Sequence, residues 1–82
     1  MRRNYKQCTV FVELKTDCTM RQLLQEARDA GVAFSNVQME HQENGVVSLI
    51  ATVKSCEKAV KKRTGLLEIL RNLSSVAYYE EL

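Results

Sequence analysis

Residues 41–53, HQENGVVSLIATV, set the dipeptide Asn44-Gly45 between two apolar, β-forming runs. Asn-Gly favours the two-residue type I′ hairpin turn, in which both central residues need φ > 0, so a strand must enter it and a second must return beside the first. A sheet is therefore the frame on which the rest of the chain has to be placed.

On the N-terminal side, Tyr5 to Leu14 alternates Cys8, Val10, Val12 and Leu14 with Thr9, Phe11 and Glu13, the period of a half-buried first strand. Thr19 and Gln22 then have capping-box spacing, Met20, Leu23, Leu24 and Ala27 fall on one helical stripe, and Gly31 stands where a left-handed C′ residue belongs. These signals predict a helix over residues 18–30. Val32 and Phe34 open a second strand that Val37, Met39 and His41 continue out of phase, which predicts a bulge near Ser35 and Asn36. After the hairpin, Val47, Leu49, Ala51 and Val53 share one face of a third strand, with Val46, Ser48, Ile50 and Thr52 on the other. Thr64 can cap a second helix with the stripe Leu66, Leu67, Leu70 and Leu73, and SSVAYYEEL reads as a fourth strand.

The order strand, helix, strand, strand, helix, strand is the ferredoxin-like βαββαβ plan of the α+β class: a four-stranded antiparallel sheet with two helices on one face. Right-handed crossovers make the first and third strands central and the second and fourth the edges, where the charges of YYEEL discourage unwanted pairing. With 82 residues and no proline or repeat, the chain reads as one domain over residues 1–82, whose core uses most of its apolar side chains. Little remains to wall a deep catalytic pocket.

Chemistry-bearing residues are sparse. His41 is the single histidine and flanks the turn beside Glu40 and Glu43, a weak candidate for a metal site, since hard cations demand more oxygen ligands than two flexible side chains supply. Glu80 and Glu81 are neighbours on a strand and point to opposite faces, so they make no acid/base pair. Gly65 in GLLEIL lacks the companion glycines or Walker lysine of a phosphate loop. Cys8, Cys18 and Cys56 match no zinc or CxxC spacing and read as reduced thiols. A net charge of +2 is below what a nucleic-acid binder usually carries. Lys54, Lys58, Lys61, Lys62 and Arg63 form a basic segment that could touch RNA or anionic lipid, yet the third strand has no aromatic on which to stack a base. The reading is a non-enzymatic domain without cofactor or nucleic-acid partner, with a weak metal or RNA binder as a third choice.

If the helices cover Cys8, Val10, Val12, Leu14, Val47, Leu49, Ala51 and Val53, then Tyr5, Phe11, Val46 and Ile50 face outward. Such a patch points to self-association as a homodimer or to docking on another domain. No run approaches a membrane span of roughly 18 apolar residues, and MRRNYKQ lacks the apolar region of a signal peptide, so the isolated chain reads as soluble.

This topology resembles the ACT-like regulatory domains, which pair and bind an amino acid near the loop after the first strand. In that loop, KTDCTMRQL, the resemblance implies a ligand site at Asp17 and Cys18, although the glycine of the usual pattern is absent. More narrowly, RTGLLEILRNLSSVAYYEEL and VVSLIATVKS resemble the C-terminal soluble domain of the MgtC/SapB family. That resemblance implies a fragment of a larger bacterial membrane protein linked to magnesium-limited growth and virulence. The domain would lie on the cytoplasmic side of the inner membrane and contact it only through the missing part of the parent chain.

Overall fold

The computed structural model describes residues 7–55 and 63–82. Tyr5, Cys56, Lys58, Lys61 and Lys62 lie outside them, as do the side chains of residues 55 and 63–66. The elements are β1 (Gln7–Leu14), α1 (Met20–Asp29), β2 (Val32–His41), β3 (Val47–Ser55), α2 (Arg63–Asn72) and β4 (Val76–Glu81). They build one antiparallel sheet in the order β2-β3-β1-β4, the ferredoxin-like arrangement with β1 and β3 central.

Local chemistry explains the boundaries. Thr19 is the N-cap of α1, and its hydroxyl accepts the Gln22 backbone N–H at 3.1 Å. Gly31, at φ 91°, ends the helix in the left-handed region and donates its N–H to the Arg28 carbonyl at 3.0 Å. The second helix already includes Arg63, so Thr64 lies inside it and is not its cap.

The hairpin lies where expected but its turn differs. Gly45 has φ 88°, while Asn44 is not among the positive-φ residues, so the type I′ geometry is excluded. Gly45 N–H donates to the Gln42 carbonyl at 3.1 Å and Gln42 N–H to the Val46 carbonyl at 2.8 Å, a type I turn followed by a glycine bulge. The Asn44 side chain accepts the Val46 N–H at 3.1 Å, which rewards a right-handed Asn44 instead. In β2 the register shifts between Ser35 and Gln38, and Asn36 takes φ 53°. That extra residue is the predicted bulge.

The core lies between the sheet and both helices. Cys8, Val10, Val12 and Leu14 of β1 and Leu49, Ala51 and Val53 of β3 are buried against Leu23 and Ala27 of α1 and Leu70 of α2. Val47, expected among them, is only half-buried, as is Leu67 of the α2 stripe. Leu24, at 38% exposure, marks the solvent limit of the α1 stripe. One polar clasp joins the layers: Glu26 of α1 accepts hydrogen bonds from Ser74 and Ser75, which lead into β4.

Candidate functional site

The face of the sheet away from the helices is set by register. Phe11 pairs with Ile50 on β3 and with Glu80 on β4, and Ile50 pairs with Gln38 on β2. One step along, Glu13 pairs with Ser48 and Tyr78, and Ser48 pairs with Glu40. Because alternate residues share a face, these eight residues lie on the open side, and Thr9, Thr52 and Lys54 extend it.

Phe11 and Tyr78 meet edge to face with ring centroids 6.2 Å apart and planes at 64°. The Tyr78 hydroxyl donates to Glu80 Oε1 at 3.0 Å, and this bond to a carboxylate raises the phenol pKa above its ordinary value. Leu82 donates its backbone N–H to the Thr9 carbonyl at 2.9 Å and continues the β4 phase on the same side. Ile50 (41% exposed), Tyr78 (48%) and Leu82 (63%) thus stand beside half-buried Phe11 as one apolar strip. A groove of about 250 Å³ adjoins it, lined by Phe11, Gln38, Met39, Glu40, Ser48, Leu49 and Ile50. Ser48 is buried at its floor and accepts the Gln42 side-chain amide at 3.1 Å.

Of the expected patch, the structure brings together Phe11 and Ile50. Val46 is half-buried at the hairpin turn, four positions from Ile50 or about 13 Å along a strand, and does not join them. Tyr78 and Leu82 were not expected there. Their place follows from the register shift of β4 against Glu13 and Leu14, where Leu14 pairs with Val76 but Glu13 with Tyr78.

The other candidates are dispersed. Glu40 and His41 are successive residues of β2 and point to opposite faces, while Glu43 is in the turn, so the three do not converge. No group of three metal-ligating side chains occurs among the described residues. Asp17 is exposed in the turn after β1, and half-buried Cys18 donates its thiol to Asp17 Oδ1 at 3.6 Å. Partial burial and then this bond to Asp17 raise the Cys18 pKa, which keeps the thiol protonated and poorly nucleophilic. Among the described residues no helix is long and apolar enough to cross a membrane. No family model, curated protein or solved structure matches the chain.

Proposed function

We propose that the chain is a non-enzymatic protein-interaction module that docks through the open face of its sheet. The observation that carries this reading is the strip of Phe11, Ile50, Tyr78 and Leu82, large apolar side chains left exposed or half-exposed on a face the fold does not need for its core. A contiguous apolar surface loses free energy by leaving water, and association is the means open to a folded domain. The occupant is a second copy or another domain. Site-specific photocrosslinking tests the surface: a reactive group at Ile50 should give adducts, whereas one at Arg21, exposed on α1, should not. Adducts from Arg21 alone would sink the open-face reading.

The resemblance to MgtC/SapB tails supports a wider proposal, that the module serves a bacterial membrane protein from the cytoplasmic side. Its test is membrane co-fractionation of the protein made from its whole reading frame; recovery in the soluble fraction alone would count against it.

A ligand sensor working through Asp17 and Cys18 is the second reading. It is favoured by one observation: the segment after β1 is tied to the β4 entry, with Lys15 N–H donating to the Ser75 carbonyl at 2.9 Å, so a ligand there would stiffen two loops at once. A thermal-shift screen against free amino acids separates the readings, since a ligand at about 100 times its dissociation constant adds roughly 2.7 kcal/mol.

A further inference from the structure

We infer that the occupant of the open face is a basic segment of another protein, one carrying an arginine or lysine next to an apolar side chain. This rests on the docking reading above and names the partner's chemistry. The chain as a whole is cationic, with a net charge of +2. Its open face has the opposite sign: Glu13, Glu40 and Glu80 lie there against Lys54 among the described residues. Charge on a docking face selects partners of the other sign and repels its own.

The groove adds shape to that selection. Phe11 and Ile50 make an apolar wall, and Gln38 and Glu40, two residues apart on β2, put an amide oxygen and a carboxylate at the other side. An arginine or lysine has a methylene stem for the first and a cationic head for the second. An acidic segment would bring like charge to Glu40. A second copy would meet three acids with one cation from its own described open face, so self-pairing is the poorer fit.

The test titrates the isotopically labelled full chain with two synthetic peptides, one alternating leucine with arginine and the other leucine with glutamate, while sedimentation reports self-association. The arginine peptide should shift the backbone amides of Phe11, Gln38 and Ile50 and the glutamate peptide should not. Glu40→Gln, at an exposed position, should weaken the arginine peptide by about two- to fivefold, and salt at about 0.5 M should weaken it further. Equal binding of both peptides at the face would overturn the basic preference and leave the docking reading standing, as would a dimer closed over Phe11 that excludes both. A monomer whose open-face amides respond to neither peptide would overturn both.

Discussion

Glu26 and Ser75 are joined by two hydrogen bonds to a single carboxylate oxygen, at 3.1 Å from the Ser75 backbone N–H and 2.8 Å from its hydroxyl. Ser74 donates to the other oxygen, so one side chain of α1 gathers both serines of the link between α2 and β4. Ser75 is fully buried, and its carbonyl also accepts from Lys15 after β1. The clasp ties three separate stretches of chain at the end of the sheet that also carries the hairpin, where β1 ends and β4 begins level with the start of β3.

Replacing Glu26 with alanine should destabilise the fold by about 1–3 kcal/mol, because the buried Ser75 donors lose their acceptor. The expected readout is the denaturant midpoint at pH 7. The same clasp sets an acid dependence. The hydrogen bond from Ser74, followed by those from Ser75 and Gln22, lowers the Glu26 pKa below its ordinary 4.5. A carboxylate depressed in the folded state stabilises it above the unfolded pKa and loses that contribution as pH falls through the folded value. The stability gap between the natural chain and Glu26→Gln should therefore narrow on acidification, and a gap that stays constant would rule out the charged form as its source.

Phe11→Lys should leave the fold intact at a loss of about 0.5–1.5 kcal/mol from the edge-to-face pair with Tyr78. Association at the open face should fall by more than about tenfold, as for a central anchor residue. Circular dichroism together with sedimentation distinguishes this from unfolding.

Leu23→Ala and Leu70→Ala should each cost about 2–5 kcal/mol, since both leucines have 0% exposure. Ile50→Ala, at 41% exposure, should cost about 1 kcal/mol or less. Thermal denaturation of the three variants checks whether the helix-covered side alone carries the core.

Gly45→Ala should destabilise by about 1–2 kcal/mol through backbone conformation alone. A Cβ there meets nothing within 4 Å, so the φ of +88° is the sole source of strain. Asn at the same position, which tolerates left-handed geometry, should recover part of the loss; equal melting of the alanine and asparagine variants would contradict that account.

Cys18 should alkylate more slowly at neutral pH than an ordinary thiol of similar exposure, given its raised pKa. Asp17→Asn should speed the reaction, measured in a Cys56→Ser background with Cys8 shielded in the core.

How much of this was legible depends on distance along the chain. The Thr19 cap, Gly31, the β2 bulge and the alternation of β1 are local signals and are present as read, and the alternation of β3 holds from Leu49 to Val53 but not at Val47 and Ser48. The turn type was misread because Asn44 could bond its own neighbourhood in more than one way. Tyr78 and Leu82 escaped because their face is fixed by a slip in pairing with β1, more than sixty positions away, which no pattern within YYEEL announces. Glu26 escaped for the same reason. Its serine partners are 48 and 49 residues distant, and a glutamate on a helix otherwise reads as a solvated charge.

The bulge at Asn36 has a consequence for how copies of this chain can accumulate. Along the free margin of β2, amide donors and carbonyl acceptors fall out of step partway, so an incoming extended segment finds a matching ladder only in fragments. The opposite margin is six residues long and ends in adjacent glutamates. Open-ended polymerisation by edge-to-edge addition is thereby interrupted at both borders, and a solution of this protein should stay free of fibrils at concentrations where its flat surface is already occupied.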